Sequence, residues 1–339
     1  MKHSEVRQNP ATREWVVIAP ERPLPESVKV ESRPPHDAHC PFCPGNENLT
    51  PPELLRFPHD SDNSDWKVRV VPDKFAVLRP DIPPLKKDGF LHAVAGFGHH
   101  EIVIEHPRHD IGLCEMPVEH VVKILKAYRM RQRELEGRPG VRLVTIFRNH
   151  GELAGAWFAH PHSQILATAM IPEYMDRKYE IAKSYSATTQ RNLYSEIWEA
   201  ETGPGKRLIE LDESMAAFVP FAASVPFEMW ILPREPRPSF SLASDHELHG
   251  LAGMLHRSLL RLKNCCGDVA YSYVIYSCCV GEEGPYYHWH VQIKPRLARP
   301  AGMELGPHIR VNPMWPEECA QRLREAPGES RKDRMLAAG

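Results

Sequence analysis

Residues 159–167 read AHPHSQILA. On an extended strand alternate side chains share a face, so His160, His162 and Gln164 would point the same way. Three polar groups in a row on an apolar strand are costly to bury without partners. A free imidazole titrates at about 6.5, so a histidine held here is a competent nucleophile at neutral pH. If one ring nitrogen donates to a backbone carbonyl, the other carries its lone pair outward. His162 is thus a candidate nucleophile. Gln164 offers an amide donor for a phosphoryl oxygen whose charge grows in the transition state. The plainer alternative is a pair of satisfied polar groups on a partly exposed strand.

HCPFCPG (39–45) places Cys40 and Cys43 on a Pro/Gly turn. That geometry presents two thiolates to one zinc ion, and with no second CxxC the remaining ligands must be histidines. The first half offers His109, in HPRHD, and His160. A redox CxxC wants a helix N-terminus, whereas two prolines flank this one; two buried loop thiols is the bland alternative. One structural zinc per chain is expected. A metal on His160 would hold His162 in register beside it. RNHGELAGAWFA (148–159) leads into the strand. Its Gly151 and Gly155 suit a backbone loop approaching an anion, and Asn149 could orient a ribose or phosphate. The spacing matches neither a Walker nor a Rossmann loop. Ser163, between nucleophile and amide, joins Asn149 and Gly155 as a substrate-binding candidate.

The elements that position these residues occur twice. YYHWHVQIKP (286–295) repeats H-x-H-x-Q as His288, His290 and Gln292, each 128 residues after its counterpart. HHEIVIEHPR (99–108) corresponds to PFEMWILPRE (226–235), with Glu228 lying 127 after Glu101. A helical face follows each strand: apolar residues at 118, 121, 122, 125 and 128, then at 248, 251, 255, 259 and 262. Ser244 with Glu247 forms a capping-box signature. β-rich runs at 141–147 and 270–276 come next. Each half therefore reads strand–helix–strand–strand, an α+β fold of two related halves, 1–180 and 181–330, whose sheets join, with a frayed tail after about Ala326 that includes 331–339. Short strands are expected at WVVIA (15–19) and WKVRVV (66–71).

Composition narrows the classes. The 339 residues carry 42 basic and 44 acidic side chains, a formal charge of −2, which leaves no basic footprint for nucleic acid or membrane. No apolar run approaches the length of about 18 needed for a spanning helix. The first residues lack a signal-peptide core, and eight cysteines in this pattern do not resemble a secreted disulfide framework. A cytoplasmic protein is expected.

HPHSQ, preceded by FRNHG and joined to CPFCPG and HPRHD, resembles the galactose-1-phosphate uridylyltransferase family, the transferase branch of the histidine-triad superfamily. The resemblance runs from VRQNPATREWVVIAPER (6–22) to ELGPHIRVNPMWPEE (304–318). It implies two tandem histidine-triad-like halves, each an antiparallel sheet with a packed helix, the second degenerate. It implies that His162 attacks the α-phosphorus of UDP-glucose, that glucose 1-phosphate leaves, and that UMP passes to galactose 1-phosphate by ping-pong kinetics. Gln164 would hold the nonbridging oxygens, and Cys40, Cys43, His109 and His160 the zinc. Arg22, Asp73, Phe75 and Asn149 match nucleoside contacts, and Glu304 a hexose contact. Homodimers with shared active sites, working in galactose metabolism, are implied too.

Several positions depart from that pattern. Trp157 stands where some relatives have serine, and Asp73 where asparagine is usual. Lys178 occupies the place of a second-metal glutamate and 190–210 lacks paired cysteines, so no second metal is expected. His288 and His290 have no evident partners in the sequence, and the flanking Trp289 implies a structural role. PFAASVPFEMWILPRE and GMELGPHIRVNPMWPEE resemble the sister family of ADP-glucose phosphorylases, which would transfer adenylate to phosphate with the same nucleophile; Pro161 leans back toward the uridylyltransferases. A non-catalytic zinc scaffold that binds nucleotides is a third reading.

Overall fold

The computed structural model describes residues 3–24, 29–31, 33–59, 62–83, 85–299 and 301–329; the 331–339 tail lies outside them. Ten strands form one sheet: β1 (Leu55–His59), β2 (Asp62–Pro72), β3 (Gly98–Ile104), β4 (Leu143–His150), β5 (His162–Thr168), β6 (Leu208–Leu211), β7 (Met215–Phe218), β8 (Met229–Pro233), β9 (Tyr271–Tyr276) and β10 (His290–Pro295). Their order is β1-β2-β3-β5-β4-β9-β10-β8-β7-β6. Every pairing is antiparallel. Adding five to each first-half label gives its second-half counterpart, and the order mirrors about the β4–β9 junction, where Tyr271 faces His150 and Ile275 faces Ile146. The fold is the α+β duplication expected, with the two sheets fused into one.

Helices α1 (Val118–Glu136) and α4 (Asp245–Cys266) cover one face. Their periodic apolar residues Val121, Val122, Leu125 and Tyr128, and Leu248, Leu251, Leu255, Leu259 and Leu262, are buried in a shared core with Val103, Ile146, Ile165, Ile231 and Val291 from the sheet. Ser244 caps α4 as expected: its hydroxyl accepts from Glu247 N–H at 3.2 Å, and its own N–H donates to the Glu247 carboxylate at 2.8 Å. Trp15–Ile18 pairs antiparallel with Glu5–Gln8 and parallel with Arg310–Asn312, tying the two ends of the chain together. Ala326 and Pro327 accept hydrogen bonds from Arg261 (2.7 Å) and Asn264 (2.8 Å) of α4, and most of the tail expected to fray lies outside the described residues. No helix among the described residues is long and apolar enough to cross a membrane.

The other face of the sheet differs between the halves. Over the second half lie α2 (Glu173–Thr189) and α3 (Leu193–Thr202), whose Tyr179, Ala182, Tyr194 and Ile197 pack against Phe218, Trp230, Leu232 and Tyr287. Both repeat histidines therefore do find partners. His288 Nε2 lies 2.8 Å from the Pro233 carbonyl. His290 Nε2 meets the Lys178 amine at 3.1 Å, and that amine sits 3.7 Å from the centre of the Tyr276 ring. Lys178 plugs the degenerate copy.

Burial lowers Lys178 to about 7. An unfolded lysine keeps its proton up to about 10.4. Between these values the unfolded chain binds the extra proton, so raising pH through this window favours the fold. Lys178→Met should therefore be more thermostable than wild type at pH 7, by a margin that shrinks toward pH 10. Melting at several pH values checks this; a margin independent of pH would contradict it.

Candidate active site

Over the first half, the face that α2 and α3 cover in the second is edged by turns around a cleft of about 1140 Å³, part of it open solvent. One wall is the Cys turn, closed by Cys43 N–H donating to the Cys40 carbonyl at 3.2 Å. Cys40, Cys43, His109 and His160 are all buried, with their ligand atoms within 4.8 Å of one another. Cys43 Sγ is 3.5 Å from His109 Nδ1 and 3.6 Å from His160 Nδ1. Tetrahedral bonds of about 2.3 Å to sulfur and 2.05 Å to nitrogen give an S···N edge of about 3.6 Å. The group fits one metal ion. His160 Nε2 lies 2.7 Å from the His106 carbonyl, and donation there leaves the Nδ1 lone pair for a metal. Burial holds His160 near 3, hence neutral, while pushing the Cys40 thiol up to about 11. A bound cation reverses the thiol shift.

Strand β5 begins at His162 rather than at His160. Pro161 has no N–H to give to the ladder, although its carbonyl still accepts from Glu105 N–H at 3.0 Å. That break separates the two histidines' tasks: His160 joins the metal group and His162 enters the cleft. His162 Nδ1 lies 2.9 Å from the His160 carbonyl, so Nδ1 carries the proton and Nε2 the lone pair. Burial depresses its pKa, so the ring is neutral at pH 7. Phe42, from between the two cysteines, packs 5.5 Å from the His162 ring and 4.8 Å from Phe158. The Cys turn thereby buttresses the histidine.

Asp73, Phe75, Asn149, Gly155, His162 and Gln164 all line this cleft. The Gly151–Gly155 turn carries Asn149 into Trp157; both glycines have positive φ, and a Cβ on Gly151 would come 2.7 Å from Val30. Phe75 and Trp157 line the cleft with exposed rings, 76% and 92% accessible. Three sequence candidates lie elsewhere. Ser163 is buried, its hydroxyl 2.5 Å from that of Tyr128 on α1. Glu304 accepts the Ala301 N–H at 2.9 Å, capping the turn Gly302–Leu305, and the exposed Arg22 also stands off the cleft lining.

Sequence reasoning missed His100. Its Nε2 is 2.9 Å from Gln164 Oε1, and its Nδ1 is 3.1 Å from Asp73 Oδ2. The other Asp73 oxygen accepts Phe75 N–H at 2.8 Å. The matching of Glu101 with Glu228 was one residue out. Ile102 faces Gln164 as Trp230 faces Gln292, an offset of 128, so the counterpart of Glu228 is His100. Glu101 instead pairs with Arg131 of α1 at 2.6 Å. The signal lay in the mismatch between 127 and 128.

A family model described as galactose-1-phosphate uridyl transferase, N-terminal domain, matches residues 1–172, and a domain of unknown function (DUF4921) matches 117–339. The chain is 32% identical to an ADP-glucose phosphorylase of Arabidopsis thaliana, over 95% of this chain and 92% of that one. It is 27% identical to a galactose-1-phosphate uridylyltransferase of Thermotoga maritima, over 95% and 98%. A crystal structure of the Arabidopsis phosphorylase with bound ADP-glucose superposes with a TM-score of 0.82 at 29% identity, covering 96% of this chain and 99% of that one.

Proposed function

The chain belongs to the galactose-1-phosphate uridylyltransferase family, and from that premise we propose that it transfers a nucleotidyl group from a nucleotide sugar through a covalent bond to His162. One observation carries this: an imidazole held neutral, with Nδ1–H tied to a backbone carbonyl, lines the cleft beside an amide. Nε2 attacks the α-phosphorus and sugar 1-phosphate leaves with the electrons of the broken P–O bond. Positive charge then builds on the ring, and the His160 carbonyl answers the more polarised Nδ1–H. The acceptor's oxygen reverses the sequence and frees Nε2. Zinc is the ion proposed for Cys40, Cys43, His109 and His160; when bound it clamps the turn that carries Phe42 against His162. Arg22 and Glu304, off their own cleft, are where a homodimer would share its sites.

ADP-glucose is the proposed donor and orthophosphate the acceptor, giving ADP and glucose 1-phosphate. The higher identity to the phosphorylase supports this, as do the exposed rings of Phe75 and Trp157 lining the cleft, two aromatic surfaces on which a purine can stack. Uridylyl transfer from UDP-glucose to galactose 1-phosphate is the second reading, favoured by Pro161 and by the N-terminal match. Offering both donors, each with both acceptors, separates them. Turnover of ADP-glucose with phosphate is expected; turnover confined to UDP-glucose with galactose 1-phosphate would replace the first reading with the second. Trp157→Ala should raise KM for the nucleotide sugar about tenfold with kcat little changed, as loss of one stacking contact implies. An unchanged KM would remove Trp157 from the binding surface.

A further inference from the structure

Gln164 can help a phosphoryl transfer only if its NH2, and not its carbonyl, faces the phosphate. Strand geometry does not decide which way a carboxamide points; its neighbour does. His100 Nε2 stands 2.9 Å from Gln164 Oε1. On the far side of the ring, the Asp73 carboxylate lies 3.1 Å from Nδ1. Val77 N–H donates to Nδ1 at 3.4 Å, so Nδ1 accepts and Nε2 carries the hydrogen. An amide oxygen only accepts, and Gln164 Oε1 is the atom that receives it.

The second half supplies the reverse case. At the register position of His100 stands Glu228, whose carboxylate accepts from Gln292 Nε2 at 2.6 Å. Its other oxygen is held by the Ser224 N–H at 2.7 Å and hydroxyl at 2.6 Å. Gln292 is thereby turned with its NH2 bound to the carboxylate, leaving its carbonyl as the free end, an orientation that repels an anion. The same fold position holds a donor in one half and an acceptor in the other, and the two amides point oppositely.

We propose that His100, donating from Nε2–H, is the positioning residue that fixes Gln164 with its NH2 toward the reacting phosphate. This rests on the nucleotidyl-transfer reading of the same cleft. It also gives Asp73, placed among the nucleoside contacts by resemblance, a different partner.

The test compares two variants and one spectrum. His100→Glu installs the second-half residue, which should turn Gln164 over. Adduct formation in a single turnover should then slow by about 10²–10³-fold, the usual effect of losing one transition-state donor, with KM moving far less. His100→Gln presents an amide donor to the same oxygen and should stay within about tenfold of wild type. Zinc content and melting of both variants report folding. In wild-type protein at pH 7, nitrogen–proton correlation spectra, with His100 assigned by its loss in His100→Gln, should show the hydrogen on Nε2. Equal activity of the two variants would overturn the proposal, as would a His100 ring with a bare Nε2. That spectrum needs no turnover. A protonated Nε2 in a protein that forms no adduct would therefore sink the transfer reading and leave the positioning standing.

Discussion

His162→Ala should form no covalent nucleotide adduct and should lose at least about 10⁴-fold in kcat, the scale seen when an enzyme's nucleophile is removed. The magnitude follows from the absence of a substitute. His160 turns Nε2 to the His106 carbonyl and Nδ1 to the metal group, and His100 is engaged on both nitrogens. The deletion leaves the core intact, because His162 lies on the cleft face while Ile165 and Val103 pack beneath it on the helix side. The variant should therefore keep its zinc and melt within a few degrees of wild type. Wild-type turnover by His162→Ala would assign the chemistry to another residue or to direct attack by the acceptor. No turnover by either protein, both folded and zinc-loaded, would support the scaffold reading.

Cys43→Ser should have the largest effect on stability. Its sulfur is the hub of the metal group, within 3.6 Å of both histidine nitrogens, and also accepts the Asp37 N–H at 3.4 Å. Structural zinc contributes about 10–16 kcal/mol to small zinc domains. Even a loss of about 5 kcal/mol here would lower Tm by roughly 10 °C. The variant should purify with less than one zinc per chain and form adduct slowly, since the turn that presses Phe42 on His162 is released. Cys265→Ser, remote from the group, should keep both zinc and Tm. Full zinc occupancy in Cys43→Ser would contradict the ligand assignment.

Much of this site was legible in the sequence because it rests on short-range spacing. The C-x₂-C turn, the H-x-H-x-Q repeat and the helical periods at Val121–Tyr128 and Leu248–Leu262 need only local geometry. Six candidates, from Asp73 to Gln164, line one cleft because β5 and the turns beside it carry them there. What was not legible depends on long-range register. The partnership of His100 with Gln164 appears only when β3 is slid against β5 to the correct residue, and a one-residue slip puts every side chain on the other face. The Lys178 plug required knowing that α2 crosses to cover the second half. The division of labour between His160 and His162 turned on a proline inside what read as continuous strand.

A covalent nucleotidyl intermediate on His162 can be trapped by incubating the protein with ADP-glucose labelled at the α-phosphate, without acceptor, and sequencing the labelled peptide. Acid-labile label on His162 is expected, discharged as labelled ADP when phosphate is added. Protein that turns over ADP-glucose with phosphate yet never carries label, or carries it on another residue, would contradict it.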